Sequence, residues 1–287
     1  MQGIEDMSRP DRGFALLLLL SLAACREEAP RQAASVATAP AAPAPVAEVP
    51  APREPVVLED VVETDPHYLI GISYPPTVNR YPGLAAELKA YSDAARQDLM
   101  EAVAALDADA GGMLYDLALE YTVVADTPEL FAVAADGSSF TGGAHGAPLI
   151  ARFVWLPRQD RLLTADALVP DPEAWEEIAR FAREQLHAAL SQRVDADELD
   201  PADRARVVRS AGRMIDEGAT PEADNFSEFE PVLDDGGRVV ALRFVFPPYQ
   251  VGPYSDGVQV AEVPAKILLP HVATEYRPLF PEAAAPQ

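Results

Sequence analysis

The sequence is short of cysteine, histidine and basic residues. Its 287 residues include 1 Cys, 4 His and 22 Lys or Arg, against 46 Asp or Glu. A lone cysteine excludes an intramolecular disulfide and a Cys-based zinc site, so the fold depends on its apolar core. The net charge of −24 makes a nucleic acid a poor partner, because such binding draws on a basic surface. We expect no metal, no cofactor and no nucleic-acid partner.

Familiar catalytic motifs are also lacking. The sequence has no Gly-x-Ser-x-Gly elbow, no phosphate-binding glycine loop with lysine and no His-Glu-x-x-His run. Its histidines are scattered, at positions 67, 145, 187 and 271. A glycosidase that uses two carboxylates remains an alternative. Because the chain has 46 acidic residues, however, the presence of carboxylate pairs is not evidence for such an enzyme. The motifs of the sequence therefore do not name a reaction.

The first 25 residues have the layout of a secretory signal. Arg9 and Arg12 precede an apolar run at 14–20, which is too short to span a bilayer. The sequence Leu-Ala-Ala-Cys that ends at Cys25 resembles a bacterial lipobox, whose cysteine carries the lipid. Arg26 follows where inner-membrane lipoproteins have Asp, and this implies sorting to the outer membrane. An ordinary signal peptide with a chance cysteine is the alternative.

Residues 26–56 read as a linker between that anchor and a folded head. They contain seven prolines and no aromatic residue, so they cannot bury enough surface to fold and favour an extended chain. By count, residues 1–25 and 26–56 each carry a net charge of −1, which leaves −22 for the head. We divide the head into an N-terminal part, 57–160, and a C-terminal part, 161–287.

The apolar pattern predicts helices and strands along the head. Apolar residues recur every three or four positions after Pro82, Pro172 and Pro201, as in helices with one buried face. Asp171 and Asp200 precede two of these helices as N-caps. Strands are expected at 68–74, 114–125, 130–134, 150–156, 226–233, 239–246 and 258–263. This order predicts an α+β fold of antiparallel sheet packed against two or three helices, with one sheet or two left open.

A glycine-rich loop between two expected strands holds the first candidate binding residues. Gly142, Gly143 and Gly146 surround His145, and glycines allow backbone groups to approach a ligand closely. The alternative is a loop in which the imidazole only caps neighbouring carbonyls.

A second loop follows the strand that ends at residue 246. Tyr249 and Tyr254 lie five positions apart in a stretch rich in Pro and Gly. Tyrosines on such loops suit recognition, because each offers rigid contact area with a polar tip. A loop that folds back over the end of the sheet accounts for them equally well.

The two loops together carry a family resemblance. The motif Gly142-Gly143-Ala-His145-Gly146, followed later by Tyr249-Gln-Val-Gly-Pro-Tyr254, resembles the extracytoplasmic domain of the RsiV anti-sigma factor family. Related domains precede the catalytic part of the peptidoglycan deacetylase PdaC. The resemblance covers roughly residues 58–275 and implies an α+β envelope domain without catalytic activity. Because the RsiV domain is a receptor for lysozyme, it also implies a ligand of the cell-wall class.

This chain departs from both relatives outside that domain. It has a lipobox where RsiV has a cytoplasmic sigma-binding segment and a transmembrane helix, and it has no deacetylase domain. We therefore expect a non-catalytic lipoprotein of the cell envelope, anchored through Cys25 to the outer membrane and facing the periplasm. The expected ligand is lysozyme or peptidoglycan. A cell-wall glycan hydrolase using His145, a deacetylase-associated domain and a structural envelope protein remain as alternatives.

Overall fold

A computed structural model of the chain describes residues 56–106 and 114–281. Within these ranges the chain forms strands and helices in the order of an α+β fold. The strands are β1 (Val61–Thr64), β2 (Tyr68–Ser73), β3 (Tyr115–Asp126), β4 (Phe131–Phe140), β5 (Ala147–Leu156), β6 (Arg161–Leu162), β7 (Phe229–Leu233), β8 (Val239–Phe246) and β9 (Gln259–Pro264). The α-helices are α1 (Pro82–Ala104), α2 (Ala165–Leu168), α3 (Trp175–Ala196), α4 (Pro201–Gly218) and α5 (Ala265–Leu268).

The strands form two sheets. The larger sheet has the order β1-β2-β3-β4-β5-β6, and the smaller has the order β7-β8-β9. Neighbouring strands are antiparallel except β2 and β3, which are parallel. The helix α1 lies between those two strands in sequence, and parallel strands need such a crossover because a tight turn cannot join them. The question of one sheet or two is thereby answered, and the larger sheet is mixed.

The helix α1 covers one face of the larger sheet. Its apolar residues at three- and four-residue spacing include Leu84, Leu88 and Leu99, which are fully buried. They pack with sheet residues such as Ile70 and Leu117 in one hydrophobic core. Pro82 stands in the first turn of the helix, where its missing N–H costs no hydrogen bond.

A chain of hydroxyl groups crosses the interface between α1 and the larger sheet. The hydroxyl of Tyr74 donates to Oγ of Ser92 at 2.6 Å, and Ser92 lies 2.7 Å from the hydroxyl of Tyr121. The Tyr121 hydroxyl in turn donates to the carbonyl of Leu88 at 2.9 Å. Every polar group in this buried row has a partner, as burial requires.

The smaller sheet packs with α3 and α4 in a second core. The side chains of Asp171 and Asp200 accept backbone N–H bonds at the starts predicted from the sequence. At Asp171 the first turn is a short 3-10 segment, after which α3 begins at Trp175. The core contains residues of both sheets, among them Val154 of β5 and Phe244 of β8. The two sheets are therefore parts of one packing arrangement.

The predicted α+β class is confirmed, and so are the helices after Pro82, Pro172 and Pro201. The short strands β1 and β6 were not predicted. The lipobox at Cys25 and the linker before residue 56 lie outside the described residues, and the division at residue 160 stays a prediction. Among the helices of the described ranges, none combines the length and apolar character needed to cross a membrane.

Candidate functional site

The two candidate loops meet in the structure. His145 lies in the turn that joins β4 to β5, and Tyr249 and Tyr254 lie in the connection from β8 to β9. The imidazole of His145 stacks on the ring of Tyr254, with centroids 3.8 Å apart and planes 12° apart. The Tyr249 and Tyr254 ring centroids are 5.8 Å apart. We call these three side chains the aromatic cluster.

Hydrogen bonds fix the orientation of the imidazole. Nε2 of His145 lies 2.7 Å from the hydroxyl of Tyr249, and Nδ1 lies 3.1 Å from the carbonyl oxygen of Gly146. A neutral imidazole with its proton on Nδ1 satisfies both contacts, because Nδ1–H donates to the carbonyl and Nε2 accepts the phenolic proton. The capping role considered for His145 is therefore present, and it coexists with the aromatic contacts.

The aromatic cluster remains open to solvent. The Tyr249 side chain is 54 % exposed, and His145 is exposed. Tyr249 also has a φ of +76°, a left-handed conformation that is costly for a residue with a Cβ. Gly142 and Gly143 have φ values of +98° and +96° in the opposite loop. The backbone of both loops thus adopts left-handed conformations that favour glycine.

Packing against α4 holds the tyrosine loop in place. The side-chain amide of Gln250 donates to the carbonyls of Gly218 and Asn225, at 3.0 and 2.9 Å. Gly218 ends α4, and a Cβ on it would lie only 1.8 Å from the backbone oxygen of Gln250. Val251 beside it is buried in the second core. The close approach at Gly218 is therefore part of what positions Tyr249.

An ion pair holds the other end of the same loop. Arg193, in the last turn of α3, donates to the carboxylate of Asp256 at 2.5 Å. The Asp256 side chain is 16 % exposed, so this pair is shielded from water more than the surface pairs of the chain. Asp256 follows Tyr254 by two positions, and the pair restrains the backbone that carries that ring.

A buried charged cluster joins the two sheets, and the sequence did not predict it. Arg152 of β5 has a side chain that is 7 % exposed. Its guanidinium donates to Glu230 at 2.9 Å and to Asp136 at 3.0 Å, while its backbone N–H donates to Glu228 at 2.6 Å. Burial raises the pKa of Glu228, and the hydrogen bond from Arg152 lowers it in part. The only sequence signal for this charged cluster was a single arginine within an apolar strand.

Of the other histidines, His67 is exposed as expected, whereas His187 and His271 are only partly exposed. His187 contacts Asp216 and His271 contacts Glu177, both at 2.9 Å. In residues 56–106 and 114–281, no three His, Cys, Asp or Glu side chains are grouped so that they could hold a metal ion.

The aromatic cluster offers groups for non-covalent contact with a ligand. Its rings offer apolar faces to a ligand, and the phenols offer hydrogen bonds. The two polar contacts of the His145 ring are to a phenol and a backbone carbonyl. A His–carboxylate pair, which acid–base chemistry uses to orient the imidazole, is not among those contacts.

Comparison with known proteins identifies the fold. No protein-family model and no curated protein matches the chain. A solved DUF3298 family protein from Pseudomonas aeruginosa PAO1 is similar at 16 % identity and a TM-score of 0.50, over 78 % of this chain and 96 % of that one. A DUF3298 family member from Bacteroides fragilis NCTC 9343 is 17 % identical, with a TM-score of 0.47, over 76 % of this chain and 93 % of that one. The described chain thus shares its fold with the DUF3298 family protein from Pseudomonas.

Proposed function

We propose that the chain is a non-catalytic lipoprotein of the cell envelope whose head binds lysozyme or peptidoglycan through the aromatic cluster. The observation that carries the proposal is the convergence of His145, Tyr249 and Tyr254, from two loops, into one solvent-accessible cluster in which the His145 ring stacks on the Tyr254 ring. Exposed aromatic side chains held by hydrogen bonds lose little entropy on binding, so they make efficient contacts.

The shape of the surroundings supports a partner rather than a small substrate. Within the cluster, Tyr249 is 54 % exposed and His145 is exposed, while Tyr254 is half-buried. Small-molecule sites are usually concave and enclose most of the ligand. An exposed tyrosine such as Tyr249 instead suits insertion into a cleft of another molecule, such as the substrate cleft of a lysozyme, or stacking on the sugar rings of a glycan.

The charge of the head supports a cationic partner. Beside the glycine loop, the larger sheet has an exposed depression of about 420 Å³, whose lining includes Asp60, Glu120 and Asp136. Ser138 also lines it and neighbours Gly146 of the loop. A basic protein that contacts the aromatic cluster would therefore face carboxylates as well. The net charge of −22 on residues 57–287 would also steer such a protein toward the head.

The proposed location depends on the N-terminal residues. The sequence Leu-Ala-Ala-Cys25 supports lipidation of Cys25, and several acyl chains on one cysteine would hold the protein firmly on a membrane. Arg26 supports the outer membrane, and an extended linker would place the head in the periplasm. A test is metabolic labelling with an alkyne fatty acid, which should label the natural chain but not the Cys25→Ala variant.

A calorimetric titration tests the ligand. We would titrate the protein with an animal-type lysozyme and, separately, with soluble peptidoglycan fragments, each at low and at physiological ionic strength. Saturable binding of either ligand that persists at physiological ionic strength supports the proposal. Binding that disappears with salt would show non-specific attraction to the acidic head, and the absence of binding to both ligands would reject the proposal.

A further inference from the structure

A groove at the other end of the smaller sheet combines apolar walls with basic side chains. It has a volume of about 1190 Å³ and is formed by α5, the end of the β7–β8 turn and the C-terminal segment. Arg238, Lys266 and Arg277 line it. Apart from Thr274, its other lining residues are apolar, among them Leu269 and Phe280.

The charge balance of the groove differs from that of the whole chain, in which acids outnumber bases two to one. Nearby, Arg158 pairs with Glu129 and Arg161 pairs with Glu275. By contrast, the basic side chains that line the groove form no ion pair within residues 56–106 and 114–281, and its described lining contains no carboxylate.

Two of these cations are held in place by the backbone. The guanidinium of Arg238 donates to the carbonyl of Pro278, and Nε of Arg277 donates to the carbonyl of Val272 at 3.1 Å. Each guanidinium keeps further N–H groups for an anion. The Lys266 side chain is exposed at the groove. The site therefore offers positive charge at fixed positions beside an apolar surface.

We propose that this groove binds a long-chain fatty acid. The acyl chain would lie along the apolar wall that includes Leu269 and Pro270, and the carboxylate would face Arg238, Lys266 and Arg277. Arginine pairs carboxylates with two parallel hydrogen bonds, which are stronger than neutral ones.

The groove is separate from the aromatic cluster. Arg238 immediately precedes β8, and the tyrosine loop follows the last residue of β8, Phe246. Eight residues of extended strand place the two ends of β8 roughly 24 Å apart. The fatty-acid proposal therefore does not depend on the proposed binding of lysozyme or peptidoglycan.

Calorimetry with three probes tests the groove on the full chain. Palmitate, below its micelle concentration, should bind saturably. Hexadecanol and acetate should not, because hexadecanol lacks the carboxylate and acetate lacks the acyl chain. The Lys266→Glu variant should weaken palmitate binding by about tenfold or more. Arg213→Glu is the matched control, since Arg213 is an exposed cation of α4 outside the groove, and it should leave the affinity unchanged.

Three results would overturn the proposal. The first is no saturable palmitate binding by the natural chain, and the second is equal loss of affinity in Lys266→Glu and Arg213→Glu. The third is palmitate binding only after residues 282–287 are removed, because the groove would then be a site for the chain's own C-terminal residues.

Discussion

The hydroxyl of Tyr249 lies 2.7 Å from Nε2 of His145, across 104 positions of sequence. His145 belongs to a turn of the larger sheet and Tyr249 to a loop of the smaller sheet. The candidate site therefore forms only when both sheets have folded and packed together. Residues that fix the two loops should then affect ligand binding without touching the ligand.

The backbone of Tyr249 provides a test of stored strain. Its φ of +76° favours glycine, and a left-handed conformation costs other residues about 1 kcal/mol or more. Tyr249→Gly and Tyr249→Ala both remove the ring, but only glycine relieves the strain. We expect the glycine variant to have a free energy of unfolding about 1 kcal/mol higher than the alanine variant, as measured by urea denaturation. Equal stability of the two variants would show that Tyr249 is unstrained.

The contact between Gly218 and Gln250 predicts an effect on the site from a distance. A Cβ at Gly218 would lie 1.8 Å from the Gln250 backbone oxygen, so Gly218→Ala must displace α4 or the tyrosine loop. We expect a loss of about 1–3 kcal/mol in the free energy of unfolding, the usual cost of overpacking, together with weaker ligand binding.

Gly71→Ala provides the stability control for Gly218→Ala. A Cβ at Gly71 would meet no atom within 4 Å, so its free energy of unfolding should change by no more than about 0.5 kcal/mol. Similar losses in both variants would mean that the tight contact at Gly218 has no special role.

Glu228 gives the fold a pH dependence of known sign. Burial raises its pKa above the ordinary value of 4.5, so between the unfolded and the folded pKa the native state binds more protons. The free energy of unfolding should therefore fall as pH rises through this window. Glu228→Gln keeps an oxygen that can accept from the Arg152 N–H but cannot titrate. The variant should therefore lack the fall in the free energy of unfolding that Glu228 causes. Urea denaturation at a series of acid pH values measures the free energy of unfolding of both proteins. Parallel plots of this free energy against pH would contradict the prediction.

The buried hydroxyl row predicts a penalty for losing its middle member. Ser92→Ala leaves the hydroxyls of Tyr74 and Tyr121 without the partner between them. The Tyr121 hydroxyl keeps its bond to the carbonyl of Leu88, but the Tyr74 hydroxyl loses the acceptor to which it donates. Burying one unsatisfied polar group costs about 1–3 kcal/mol, which denaturant unfolding would detect. Ser210→Ala removes an exposed helical serine from α4 and should change stability by less than about 0.5 kcal/mol. Equal effects of the two changes would argue against a role for the row.

Local signals were enough to predict most of the elements. The helices that follow Pro82, Pro172 and Pro201 were recognisable because apolar spacing, N-caps and proline positions act within a few residues. The parallel pairing of β2 with β3 was not recognisable, since apolar and polar residues alternate in the same way in parallel and antiparallel strands. The short strands β1 and β6 carry too few residues to show a pattern.

Long-range partners explain what the sequence could not reveal about the site. Both loops of the aromatic cluster were candidates from their residue types, but their stacking depends on how the two sheets pack. Arg152 meets Glu228 and Glu230, which lie 76 and 78 positions away, and no spacing rule connects residues so far apart. The binding role of the cluster stays a prediction.

A single titration would test whether the aromatic cluster is the binding surface. We would compare the natural chain with the His145→Ala/Tyr249→Ala/Tyr254→Ala variant, using whichever of lysozyme or peptidoglycan fragments binds, at physiological ionic strength. His67→Ala/Val260→Ala, which alters two exposed residues outside the cluster, is the control. We predict a loss of affinity of about tenfold or more in the triple variant, as for a loss of hot-spot residues, and none in the control. Unchanged affinity in a folded triple variant would contradict the proposed site.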